Sequence, residues 1–153
     1  MTGFEALLEK DGRLVYKTKG RSMEPMLREN RDLVIIEVPS SRLQKYDVAL
    51  YKRGEQYVLH RVIAVGDGFY RIRGDNTYSM EHVSDGQVLG VLTGFTRKGK
   101  NHTTAESGYR FYVRFWNTIY PLRFVWFWIK RGLRAIAGKL GLIPVLKKLL
   151  GRK

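Results

Sequence analysis

The chain has 153 residues, 44% of them hydrophobic, with no cysteine and a net charge of +14. That apolar content is too high for a disordered chain and suits one domain with an appendage. The missing cysteines exclude disulfide staples, thiolate metal sites and cysteine nucleophiles.

The first residues, MTGFEALLEKDGR, are mixed in charge and read neither as a secretory signal nor as a membrane anchor. Within them, residues 5–10 predict a short helix with Phe4, Leu7 and Leu8 on one side. The period then shortens. Residues 13–18 (RLVYKT), 32–38 (DLVIIEV), 47–52 (DVALYK), 57–65 (YVLHRVIAV), 69–73 (FYRIR) and 88–96 (VLGVLTGFT) are rich in β-branched and aromatic residues. Gly, Asp, Asn, Ser or Pro punctuate the gaps, so the pattern predicts short strands and a mainly β, antiparallel domain over residues 1–106. Residues 97–108 (RKGKNHTTAESG) read as a linker.

Charge separates the two parts. Residues 1–106 hold 17 Lys+Arg against all 14 Asp+Glu, whereas residues 107–153 hold 11 Lys+Arg and no acid. All three tryptophans, Trp116, Trp126 and Trp128, also lie in this tail. Arg110, Arg114 and Asn117, and then Arg123, Lys130 and Arg134, recur at helical spacing opposite apolar faces. Pro121 is expected to kink or divide the helix. A second basic segment, 139–153, sets Leu140, Ile143, Leu146, Leu149 and Leu150 against Lys139, Lys147 and Lys148. No uncharged run approaches the roughly 20 apolar residues that a membrane span needs. The tail therefore predicts basic amphipathic helices lying on an anionic membrane surface, at the cytoplasmic face. Packing of the aromatics on the β domain is the other reading. Nucleic acid is the less favoured polyanion, because the apolar content exceeds what a strand-binding groove uses.

Three segments carry chemistry. Residues 19–30 (KGRSMEPMLREN) place Ser22 in a loop between two strands, after Gly20 and before Pro25. A serine hydroxyl becomes a nucleophile only when a base takes its proton, and a loop serine by itself is usually structural. His60 stands inside the apolar run 57–65. There it is either a core histidine satisfied by backbone or a proton acceptor suited to neutral pH. Asp75, in the turn Gly74-Asp75-Asn76, either caps the turn or orients His60.

Together and in this order, Ser22-Met23-Glu24-Pro25, His60-Arg61-Val62 and Gly74-Asp75-Asn76 resemble the blocks of type I signal peptidases, above all the branch that uses a histidine base. Bacterial signal peptidases and LexA-type repressors use lysine on the equivalent strand. The resemblance covers residues 13–96. It implies an antiparallel β signal-peptidase/LexA-like core in which Ser22 attacks a peptide carbonyl, His60 moves the proton and Asp75 orients His60. It also implies a peptide or protein substrate bound extended, as in the processing of leader or signal peptides. Residues 77–83 (TYSMEHV), where that branch carries its acid, offer Glu81 as an alternative. The oxyanion would rest on backbone amides such as those of Ser22 and Gly20, since Gly20 stands where these peptidases often place a serine. They are also anchored by a helix ahead of the serine box, which this sequence lacks. His82 is a weaker candidate base, and His102 falls in the linker. The spacing of the histidines suggests no metal, and no cofactor is expected. Two alternatives keep the fold: a catalytically silent binding module at the membrane surface, and a self-cleaving DNA-binding regulator. The regulator is disfavoured by the short stretch ahead of the first strand.

Overall fold

The computed structural model describes residues 3–139. They fall into two compact units, one ending at Val113 and the other starting at Arg114.

In the first unit, helix α1 (Phe4–Asp11) carries Glu5 in its first turn and Lys10 in its last, each on the favourable end of the helix dipole. Gly12, at φ 66°, ends it in a left-handed cap with its N–H on the Leu8 carbonyl. Eight strands follow: β1 (Arg13–Lys17), β2 (Leu33–Glu37), β3 (Val48–Arg53), β4 (Gln56–Val65), β5 (Phe69–Arg73), β6 (Glu81–Ser84), β7 (Val88–Arg97) and β8 (Lys100–Thr103). All pairings are antiparallel, in the order β1-β2-β7-β3-β4-β5-β6, with β8 on β7. The unit is mainly β, as expected.

Two strands lie where none was expected, and both are polar. β8 occupies the presumed linker. Lys98 (φ 50°) and Gly99 (φ 76°) both take the left-handed conformation, which is what a two-residue hairpin turn needs. Arg97 and Lys100 then pair across it. β6 (EHVS) buries only Val83 and is carried by its pairing with β5.

Strand β3 lies at the centre and is buried on both faces. Val48 and Leu50 join one core cluster with Leu14, Val34, Ile36, Leu92 and Phe95. Ala49 and Tyr51 join the other with Val62, Tyr70, Ile72 and Val83. This two-sided burial explains the near-continuous apolar run of the strand.

Helix α2 (Ser107–Thr118) begins in the first unit. The expected boundary at residue 106 therefore moves to Val113. That residue is buried, and Tyr109 and Tyr112 pack against the first core cluster. Helix α3 (Tyr120–Lys139) follows after Ile119. Pro121 divides the tail as its position suggests, because it sits in the first turn of α3 where a missing N–H costs little.

In the second unit the guanidinium of Arg123 lies 3.8 Å from the Trp116 ring centroid. Lys130 stands 5.0 Å over Trp126, and Arg131 stands 5.1 Å over Trp128. Among the described residues no helix is long and apolar enough to cross a membrane. Nearly all of the second basic segment, 139–153, lies outside the described residues.

Candidate active site

Ser22 sits in the loop joining β1 to β2. The base of this loop is closed by three bonds: Thr18 N–H to the Asp32 carbonyl (3.2 Å), Asn30 N–H to the Thr18 carbonyl (2.9 Å), and Thr18 Oγ1 to the Arg28 carbonyl (3.0 Å). The fully buried Asp32 carboxylate accepts the Arg28 N–H at 3.0 Å and is paired with Arg31. Met23, Met26 and Leu27 are buried pegs. Ser22 precedes them and lines a cavity of about 960 Å³. The Glu24–Pro25 bond is cis.

His60 lies on β4 opposite Ala49, and its neighbour Arg61 lies opposite Val48. Adjacent strand residues face opposite sides, so the imidazole and the guanidinium diverge. His60 lines the cavity with Ser22, and both meet at Gly74. A Cβ built on Gly74 would stand 2.7 Å from the Ser22 carbonyl oxygen and 3.1 Å from His60 Nε2. Only glycine allows this approach. Asn76 N–H then donates to the Ser22 carbonyl at 2.7 Å, and Asn76 Nδ2 donates to the Arg21 carbonyl at 3.2 Å. The Gly74-Asp75-Asn76 turn is thereby stitched to the serine loop.

On its other side, His60 Nδ1 lies 3.3 Å from Tyr51 Oη and 3.4 Å from Glu81 Oε1. Tyr51 gives its own proton to Glu81 Oε2 at 3.0 Å, so it meets His60 as an acceptor. This pattern assigns the proton of neutral His60 to Nδ1 and leaves the Nε2 lone pair facing Gly74 and the serine loop. Arg53 holds Glu81, with Nη1 3.1 Å from both oxygens. Burial lowers the pKa of His60. The nearby Glu81 charge opposes that shift and Arg53 adds to it. The imidazole is therefore neutral at pH 7.

The carboxylate ranked first from sequence, Asp75, has a different occupation. Its oxygens accept from Arg61 Nε and Nη2, both at 2.7 Å, and from Tyr112 Oη at 3.1 Å. Arg61 is fully buried. It also donates to the Tyr46 carbonyl (2.9 Å), Tyr109 Oη (3.1 Å) and Met26 Sδ (3.2 Å). A buried guanidinium requires a carboxylate, and Asp75 meets that need. At His60 Nδ1 it is Glu81, brought in by β6, that stands in position. Asp75 influences His60 through its charge.

The oxyanion assignment changes in the same way. The Gly20 N–H donates to Glu29 Oε1 at 2.8 Å and is already used, whereas the Ser22 N–H has no partner among the described residues. Ser22 Oγ likewise has no hydrogen bond to His60 or to any other described residue. The Ser22 backbone and the imidazole meet at Gly74, but the hydroxyl is not engaged, as is common before substrate tightens such a site. His82 lies on β6 opposite Arg71, with its ring tilted against Phe69. His102 pairs with Glu106 on the surface. Among the described residues no cluster of three or more His, Asp or Glu could hold a metal.

Sequence reasoning missed Tyr51 and Arg53. Their signal was available, because alternation puts Tyr51 on the face of His60. No protein-family model matches the chain, and no curated protein matches it either.

Proposed function

We propose that this chain is a serine endopeptidase with a signal-peptidase/LexA-like core, in which Ser22 is the nucleophile, His60 the base and Glu81 the orienting carboxylate. The observation that carries the reading is the approach of His60 Nε2 and the Ser22 loop on one glycine, with Glu81 and Tyr51 fixing Nδ1 from behind. Ser22 Oγ attacks the peptide carbonyl carbon as its proton passes to His60 Nε2. The Ser22 N–H donates to the developing oxyanion, and Glu81 stabilises the imidazolium. The C–N bond then breaks as His60 returns the proton to the leaving amine. Water, deprotonated by the same nitrogen, releases the acyl group from Ser22.

The substrate is an extended peptide lying between the end of β1 and β4, which wall the cleft. The tail brings the enzyme to an anionic bilayer on the cytoplasmic side. The cations over Trp126 and Trp128 support this, since such pairs suit the headgroup layer. Processing of leader or signal peptides at that surface is the corresponding role.

Labelling with serine-reactive phosphonates and β-lactams tests the chemistry in wild type, Ser22→Ala and His60→Ala. Labelling lost in both variants is expected. A folded wild type that resists every reagent would favour a second reading, a silent binding module at the membrane surface. The occupied Gly20 amide and the unengaged Ser22 hydroxyl are the observations on its side.

A further inference from the structure

The cleft is walled by two strands and strapped by a helix. From Ser22 and His60 it extends along residues 16–20 at the end of β1 and along residues 57–59 of β4, and Phe4 of α1 lines it as well. The Phe4 ring lies 4.7 Å from the Tyr16 centroid on one wall and 4.6 Å from the Tyr57 centroid on the other. Glu5 fastens this end of α1 to the β3–β4 hairpin. It accepts from Tyr57 Oη, and Lys52 Nζ lies 3.1 Å from its Oε1. Buried Leu8 and the Gly12 cap fix the other end to β1. The three-ring stack therefore bridges the gap in which an added strand would have to run.

We propose that Phe4 closes the substrate groove, so that it holds no more than three residues in register on one side of the scissile bond. Three residue steps lead from His60 to Tyr57, which at strand rise is roughly 10 Å of groove. Tyr57, Tyr16 and Phe4 stand together at its far end. A fourth residue in register would meet the Phe4 ring. The inference rests on the peptidase reading for the identity of the groove, and its length limit is a separate claim.

Internally quenched peptides lengthened one residue at a time, on either side of the cleaved bond, test it with the wild type. Fluorescein-labelled peptides of the same lengths are titrated against Ser22→Ala. On one side, kcat/KM and affinity should rise roughly 3- to 10-fold per residue through the third and then stay flat, as each added strand residue contributes up to two backbone hydrogen bonds. Phe4→Ala should restore a gain from the fourth to the sixth residue, while Phe4→Leu, which retains apolar bulk, should keep the plateau. Thermal melts of both variants confirm that the fold is retained. Gains continuing through six residues in wild type, or an unchanged plateau in folded Phe4→Ala, overturn the inference. A plateau in binding without cleavage supports the closed groove and sinks the peptidase reading. Neither binding nor cleavage overturns both.

Discussion

Replacing Asp75 with Asn should damage folding far more than chemistry. Arg61 is fully buried and Asp75 is 4% exposed, and two bonds of 2.7 Å join them. Removing one partner of such a pair leaves an uncompensated buried charge, which costs about 3–5 kcal/mol. For a unit of this size, that corresponds to a fall in Tm of roughly 12–20 °C. Tyr112→Phe removes one charge-assisted bond to Asp75 and should cost about 1.5–3 kcal/mol. The double change Arg61→Met with Asp75→Leu removes both charges of this pair and should recover much of the loss. Urea and thermal unfolding followed by circular dichroism read all four proteins, with the rate of Ser22 labelling as the second axis. Glu81→Gln should show the converse: little change in Tm and a labelling rate about 10²–10⁴-fold lower, the range over which a positioned acid–base group acts. A Tm for Asp75→Asn within about 3 °C of wild type, a shift that this relation equates with under ~1 kcal/mol, would refute the division of labour between the two carboxylates.

Three further outcomes are expected. Because burial lowers the pKa of His60, the acid limb of the labelling profile should fall below the ordinary histidine value of about 6.5. Arg53→Met should move that limb up and Glu81→Gln should move it down, as the respective charges dictate. The same shift makes the unfolded chain bind the proton first, so the His60 contribution to stability is lost as pH falls from about 6.5 toward the folded value. Gly74→Ala should abolish labelling, since its Cβ would meet the Ser22 carbonyl at 2.7 Å and His60 Nε2 at 3.1 Å; a labelling rate within tenfold of wild type would contradict the placement. Lys130, Arg131 and Arg134 changed together to Gln should weaken binding to phosphatidylserine vesicles about 100-fold, at about 1 kcal/mol per cation near an anionic surface. Binding that ignores both this change and added salt would remove the case for the bilayer.

Much of the fold could be read from alternation and turn residues, because strands such as VALYK and YVLHRVIAV announce their burial in composition. β6 and β8 could not, since EHVS and KNHT bury little and exist through pairing. The three chemical segments were visible as short words around Ser22, His60 and Asp75. The carboxylate that faces His60 was harder to choose, because two candidate acids, Asp75 and Glu81, follow the histidine and only tertiary register separates them. One clue lay unused: Arg61, one residue from His60 in an apolar strand, must point into the opposite interior and needs an acid there. Asp75 was that acid, which leaves Glu81. The role of Tyr109 and Tyr112 was hidden by the change in texture at residue 107, where a compositional border was read as a structural one.

The adjacency of His60 and Arg61 on one strand has a further consequence. A slip of β4 by a single residue against β3 would put a permanent cation where the imidazole belongs, with most ladder bonds still available. Such a molecule would have nearly native secondary structure and no imidazole beside the serine loop. The slip is opposed because it would turn Arg61 away from Asp75 and expose the pairing error at the most expensive place in the interior. The ion pair thus acts as an alignment key for the hairpin: it makes the slipped register the unstable one, and links correct threading of the sheet to the placement of His60 beside the serine loop.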